Sequence, residues 1–307
     1  MVSILLAAYN GERFLSSQIE SLLSQSHTEF VIHASDDCST DSTWDILTSY
    51  GFKYPDKIKL SRRSRNSGGA KYNFIEMMAS VRDDYVMLCD QDDVWLPDKI
   101  KKTLKKMQEL EAQYPKTPIL VHTDLQIVDQ HLKLIHQSYR RYMNANFERT
   151  ALNQVLIQNT FAGCAAMYNR ALSEMIIEKP SFCVAHDWWL QLVASGFGRI
   201  GYVSDSTVLY RQHGRNEIGA NDIRSISYKA KMLARGEHIR QAIHSTFRQA
   251  ESFLQVYGER LSKSQRNIVE QYCMIPKISR LRRWKTIFGI KAYKNGFSRN
   301  LAYFMYV

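Results

Sequence analysis

Four residues, Asp90-Gln91-Asp92-Asp93, follow directly on the apolar run Tyr85-Val86-Met87-Leu88-Cys89. That run is short and continuous, and polar Arg82-Asp83-Asp84 precedes it, so it reads as a buried strand. Three carboxylates crowded where such a strand ends repel one another and lose hydration, a cost that a cation or a donor-rich ligand offsets. Hard oxygen ligands suit Mg2+ or Mn2+, and Mg2+ commonly takes one or two carboxylates together with phosphate oxygens of a substrate. The tetrapeptide therefore reads either as a metal and diphosphate site or as a solvated acidic loop before the helix that begins near Pro97.

A second carboxylate stands in a different setting. Asp187 precedes Trp188-Trp189, which can exclude water around it, and partial burial raises a carboxyl pKa toward the range where it works as a general base. The same aspartate could instead cap the helix over 188–194, and the two roles are compatible.

The elements that must carry these groups alternate in type. Strands are expected at 2–8, 30–34, 57–60 and 85–89, with helices at 13–24, from about 41, at 70–80 and from Pro97 to about 113. This is the pattern of a parallel sheet flanked by helices. Beyond residue 118 the pattern changes: strands are expected at 119–122, 125–128, 161–168, 202–203 and 207–210, and a helix at 185–194. From about residue 225 the chain reads as helices. Ligands of open parallel sheets bind beyond the carboxyl ends of the strands. Ala8-Tyr9-Asn10-Gly11-Glu12, Asp36-Asp37 and Asp90-Gln91-Asp92-Asp93 all fall there.

Those segments, with Cys38-Ser39-Thr40-Asp41-Ser42-Thr43 after Asp37, Val94-Trp95 after Asp93, His186-Asp187-Trp188-Trp189 and Tyr210-Arg211-Gln212-His213, resemble a family 2 glycosyltransferase. The resemblance spans residues 1–215 and is greatest to bacterial rhamnosyltransferases of cell-wall and capsular polysaccharides. It implies an α/β GT-A fold, Rossmann-like with a mostly parallel central sheet, over residues 1–220, followed by a helical, basic C-terminal region over 221–307. It also implies an inverting enzyme that transfers a sugar to a saccharide acceptor. The expected donor is dTDP-rhamnose, with a UDP-hexose or UDP-N-acetylhexosamine as the alternative.

By the same resemblance, Ala8, Tyr9, Asn10, Glu12, Asp36, Asp37, Lys71, Asp90 and Gln91 face the donor nucleotide, with Asp37 accepting from the pyrimidine ring N–H. Asp92, Asp90 and His213 hold Mn2+ or Mg2+. Asp93, Trp95, Thr160, Gly163, His186, Trp188 and Trp189 lie on the acceptor side, and Asp187 is the base. Each tryptophan either stacks on sugar or packs in the core. Cys38 departs from the family pattern, which has glycine there.

Charge is unevenly placed. Residues 221–307 hold 17 Lys and Arg against 5 Asp and Glu, whereas residues 1–220 hold 24 against 25. A nucleic-acid-binding protein, suggested by a pI near 9.3, would need its basic stripe on the folded body, so the near-neutral first 220 residues argue against it. A catalytically silent carbohydrate-binding relative is disfavoured by the intact Asp92, Asp187 and His213. The basic, aromatic stretch Arg280-Leu281-Arg282-Arg283-Trp284-Lys285-Thr286-Ile287-Phe288 suits an interfacial helix on anionic lipid, a homodimer contact, or a packed subdomain. A polyprenyl-linked acceptor would suit the membrane reading.

No apolar run approaches the roughly 20 residues of a membrane span. The N-terminus enters a strand without the basic flank of a signal peptide. The five cysteines form neither a disulfide framework nor a metal-type pair. The expected location is cytoplasmic, peripheral to the inner face of the membrane.

Overall fold

Side chains of strand β1 (Val2–Ala8) alternate between two cores: Leu5 and Ala7 enter one, Val2, Ile4, Leu6 and Ala8 the other. A strand buried on both faces must be apolar throughout, and this one carries a single serine. The computed structural model describes residues 1–214 and 236–307. Strands β2 (Phe30–Asp36) and β4 (Tyr85–Asp90) flank β1 in parallel, and β3 (Ile58–Arg62) pairs in parallel with β2. The sheet continues through β5 (Val94–Trp95), β6 (Ile119–Asp129), β8 (Ala166–Asn169) and β9 (Arg199–Gln212). Its order is β3-β2-β1-β4-β8-β6-β9-β5, with β7 (Leu134–His136) paired to β6.

Register is what brings the motifs together. Ala8 pairs with Asp36, and Ala7 with Asp90. The carboxyl ends of β1, β2 and β4 thus lie level, and the segments following them open onto one edge.

Helices α1 (Leu15–Leu23), α2 (Thr43–Lys53) and α4 (Lys99–Gln113) contribute Leu15, Ile19, Leu22, Leu47, Ile100 and Met107 to one core. The other face is covered by α3 (Ala70–Ser80) and α8 (His186–Phe197), with α5 (Tyr139–Tyr142), α6 (Leu152–Val155) and α7 (Arg170–Met175) as short connectors. Onto this second face pack α9 (Gly236–Tyr257), α10 (Lys263–Met274), α11 (Arg280–Ile290) and α12 (Phe297–Tyr306). Ile243, Phe247, Ala250, Phe253 and Tyr257 of α9 recur at helical spacing and share a core with Trp189 and Leu190. The basic C-terminal helices are therefore built onto the body. The expected boundary at 220 and helix onset near 225 lie outside the described residues.

Two expectations for the second half change. The pairs 119–122 with 125–128 and 202–203 with 207–210 are one strand each, β6 and β9. Thr123 pairs with Val203 but Asp124 with Ser206, so the polar residues between bulge from β9, and that interruption looks like two strands in sequence. In 161–168, strand structure begins only at Ala166, because Gly163–Ala165 forms a 3-10 turn against the start of α8. Among the described residues, no helix is long and apolar enough to cross a membrane.

Candidate active site

A cleft of about 730 Å3 opens along the carboxyl edge of the sheet, within the size of small-molecule sites. Ala8, Tyr9, Asp37, Lys71, Asp90, Gln91 and Asp92 line it, as do Gly163, His186, Asp187 and Trp188. Carboxylates 95 positions apart in the chain, Asp92 and Asp187, thus face one space.

The N-terminal side of the cleft is held by side chains bonded to backbone. Gln91 accepts from the Tyr9 N–H at 2.8 Å and donates to the Tyr9 carbonyl at 2.9 Å. A side chain on Gly11 would fall 2.1 Å from the Gln91 Oε1, so this clamp requires glycine there. Asp37 accepts from both the backbone N–H and the hydroxyl of Ser67, at 2.9 and 2.6 Å, and pairs with Arg63 at 3.3 Å. It thereby fixes the loop Asn66-Ser67-Gly68-Gly69 along the cleft. Lys71 donates to the Cys183 carbonyl at 3.1 Å, bridging to the segment before α8.

Several expected donor-side residues do other work. Asp36 is fully buried, pairs with Arg62 at 3.1 Å and accepts from the Ser39 N–H. Asn10 adopts φ 48° and accepts from the Thr40 N–H at 2.9 Å; Glu12 accepts from the Ser42 N–H at 3.0 Å. Neither lines the cleft. Both brace the loop after β2, where Cys38 holds φ 64°. The family's glycine has a physical reason at this position, since left-handed backbone is costly for a residue with a Cβ.

The acidic tetrapeptide divides residue by residue. The Asp92 Oδ2 lies 2.8 Å from the His213 Nε2, and the His213 ring packs on Phe14 with centroids 4.9 Å apart. Asp90 lines the same cleft. Asp93 is instead buried behind it and accepts from the Arg211 N–H at 3.0 Å. Burial, and then the neighbouring Asp92 carboxylate, push its carboxyl well above the ordinary range. Its task is to fix β9 where His213 follows, not to meet an acceptor. Trp95 likewise leaves the acceptor side: it is buried, with the Lys99 ammonium 4.6 Å from its ring centre.

Two ligand sets present themselves for a divalent ion. Ligand atoms of Asp90, Asp93 and Cys164 lie within 4.8 Å of one another. Burial pushes the Cys164 thiol and the Asp93 carboxyl up, disfavouring the charged forms, and a thiol is a soft partner for a hard cation. Asp92 lines the cleft with Asp90 and bonds to His213, and carboxylate with imidazole suits Mn2+ and tolerates Mg2+. The residues present fit the ion expected from the sequence.

Asp187 is buried at the other end of the cleft. Burial raises its carboxyl to about 6, opposed by hydrogen bonds from the Asn159 amide and the Trp188 N–H at 2.9 and 2.7 Å. Helix α8 begins one residue earlier, with Ala185 as cap, so Asp187 lies in the first turn rather than capping it. His186 stacks on Phe74 with centroids 4.0 Å apart, and burial lowers its imidazole to about 3, so it is neutral. A Cβ on Gly163 would lie 2.8 Å from the His186 Nε2 and 3.2 Å from the Asp187 Cβ; the close approach needs glycine.

Trp188 lines the cleft and donates its indole N–H to the Val155 carbonyl at 2.6 Å. Trp189 points the other way and is fully buried against Phe253 and Tyr257, each at 5.9 Å. Thr160 is also buried, accepting from the Gln191 amide at 2.7 Å. Trp189 and Thr160 are thus core and brace, not acceptor contacts. Sequence reasoning missed Asn159, Tyr139, Phe161 and Tyr210, all of which line the cleft. None sits in a pattern that marks it, except that Tyr210 opens the segment ending in His213.

Comparison with known proteins gives the family and the fold. The sequence model of glycosyl transferase family 2 matches residues 3–176. The dTDP-rhamnosyl transferase RfbG of Shigella flexneri is 28% identical over 240 residues, covering 74% of this chain and 76% of that protein. Among solved structures, S. aureus TarS 1-349 superposes with a TM-score of 0.57 at 17% identity, covering 94% of this chain and 79% of that one. The mannosyltransferase PcManGT from Pyrobaculum calidifontis, in complex with GDP-Man and Mn2+, gives 0.53 at 15% identity, covering 94% and 84%. These structural likenesses concern the GT-A-like fold.

Proposed function

This chain belongs to glycosyl transferase family 2, and from that premise we propose that it transfers L-rhamnose from dTDP-rhamnose, with inversion, to a saccharide acceptor in cell-wall or capsular polysaccharide synthesis. The likeness to RfbG supports the sugar. The observation that carries the mechanism is that one cleft is lined by Asp90, by Asp92, which bonds to His213, and by Asp187.

Ala8, Tyr9, Asp37 and Gln91 bind the nucleotide, and Lys71 lies along the same wall. Asp92, Asp90 and His213 would hold Mn2+ or Mg2+, which when bound supplies Lewis-acid stabilisation of the departing diphosphate. Asp187 accepts the proton of the acceptor hydroxyl as its oxygen bonds to the anomeric carbon and the bond to diphosphate breaks on the opposite face. A single displacement of this kind inverts the centre and needs one base. A carboxyl held near 6 is ionised at neutral pH yet basic enough to act. Gly163, His186 and Trp188 shape the acceptor side.

The acceptor in this reading is polyprenyl-linked, and the protein works in the cytoplasm at the inner face of the membrane, alone or as a homodimer. Nucleoside diphosphate release is the test, with dTDP-rhamnose, UDP-hexoses and UDP-N-acetylhexosamines compared in Mn2+ and Mg2+. Turnover of dTDP-rhamnose alone is expected; preference for a UDP-sugar would replace the donor and keep the chemistry. Asp92→Ala is expected to weaken metal-dependent donor binding about 10- to 100-fold, read by calorimetry with and without the ion.

A further inference from the structure

Residues 271–307 contain eight Lys and Arg and no Asp or Glu. The helices they form bury some of their apolar residues and leave others exposed. Leu281 and Phe288 on α11 are exposed at positions i and i+7, with Lys285 between them at i+4. Phe297, Leu301 and Met305 on α12 are exposed at i, i+4 and i+8. The Phe288 and Phe304 rings stack at 5.3 Å, so the two outward rows adjoin. Leu281 is 78% and Phe297 85% exposed, and Arg280, Arg282, Lys285 and Lys291 are exposed around them. An apolar row rimmed by one sign of charge marks a surface that meets a partner.

The same helices are fastened to the acceptor wall. Asn153 donates to the carbonyls of Ile290 and Lys291 at 3.0 and 3.1 Å, and Arg149 donates to that of Tyr293. Arg299 donates to the Met143 carbonyl at 2.8 Å. The Asn295 N–H donates to the Gln158 side chain at 2.7 Å, and the next residue, Asn159, holds Asp187. One short stretch of chain thus connects the exposed face with the base.

We propose that α11 and α12 form a docking face for an anionic lipid bilayer and hold the acceptor end of the cleft at its surface. The lipid contact stands on the face itself, and only its service to a lipid-linked acceptor rests on the function proposed above. A second copy of this chain is the poorer occupant. A two-fold contact sets the patch against itself, bringing together two basic rims with no acidic residue in 271–307 to answer them. Anionic headgroups supply the missing countercharge, and apolar side chains enter the boundary between headgroup and acyl chain.

Cosedimentation with vesicles tests this, using phosphatidylcholine with and without phosphatidylglycerol. Wild-type protein is expected to bind the anionic vesicles at least about tenfold more tightly than neutral ones and to release in high salt. The double variant Leu281→Glu with Phe297→Glu is expected to lose about tenfold or more of that binding with an unchanged melting temperature, since both side chains face water. Hydrogen exchange with vesicles present should slow at 280–301 and at 143–158. Equal binding by variant and wild type, or protection confined to other surfaces, would overturn the proposal. So would a dimer that the variant dissociates and that ignores vesicles. Because none of these readouts uses a donor, failed sugar transfer with intact vesicle binding would sink the proposed function and leave the docking face standing.

Discussion

The N-terminal and C-terminal walls of the cleft are built on different principles. The first comes from strands β1, β2 and β4 and the segments just beyond them, tied by bonds such as Gln91 to Tyr9 and Asp37 to Ser67. Its functional groups follow strands in register, so each motif lies where its strand ends. The second wall joins residues near 139, 159–163 and 184–188, and its supports come from α9 and the 291–299 stretch. There the Val184 N–H donates to Gln249 of α9 at 2.8 Å, three residues before Asp187. A wall made of strand ends can be read from local pattern. A wall made of distant loops cannot.

The largest test of this contrast is at Asp187. Asp187→Asn should keep nucleotide-sugar binding while transfer falls about 10^2- to 10^4-fold, read by calorimetry beside a diphosphate-release assay; near-normal turnover would remove Asp187 from the mechanism. Next is the tryptophan pair. Trp189→Ala should cost about 3–5 kcal/mol of stability, measured by denaturant unfolding. Trp188→Ala should cost less stability and instead raise the acceptor KM. Equal losses in both would break the distinction between core and cleft.

A smaller effect concerns pH. In the proposed mechanism Asp187 works deprotonated, so kcat/KM should fall as pH drops through about 6. Of the titratable groups near Asp187, His186, lowered to about 3, Cys183, raised to about 11, and Tyr139, also raised, stay neutral there, while Lys71 lies across the same cleft. Asn159 bonds to the charged carboxylate and lowers its pKa. Asn159→Leu should therefore move this acid limb upward by up to about one pH unit, and an unmoved limb would assign Asn159 to packing alone. The smallest expected effect is Cys38→Gly. Relief of the left-handed backbone, less the added freedom of the unfolded chain, should stabilise by about 0.5 kcal/mol, read from the melting temperature.

Neighbouring residues show how far the pattern could be followed. Asp37 and Asp36, Asp92 and Asp93, and Trp188 and Trp189 each share one motif, yet only the first of each pair lines the cleft. In a strand or its extension successive side chains take opposite faces, and in a helix they diverge by about 100°. A motif therefore marks a place, while orientation depends on what the element packs against. Asn159 carries no motif at all and was legible only once the 159–163 segment lay against α8.

Sequence alone determined the alternation of strands and helices, the acidic cluster after β4, the aspartate before two tryptophans, and the confinement of the net positive charge to the last 87 residues. These are consequences of local periodicity and residue chemistry. Tertiary structure alone decided that Asp92 pairs with His213 while Asp93 is buried, that Asp187 is dehydrated and held by Asn159, and that the basic helices join the body while leaving one apolar row outside. Burial and partner choice depend on which surfaces meet, and contacts between residues a hundred positions apart are set by packing rather than by neighbouring sequence.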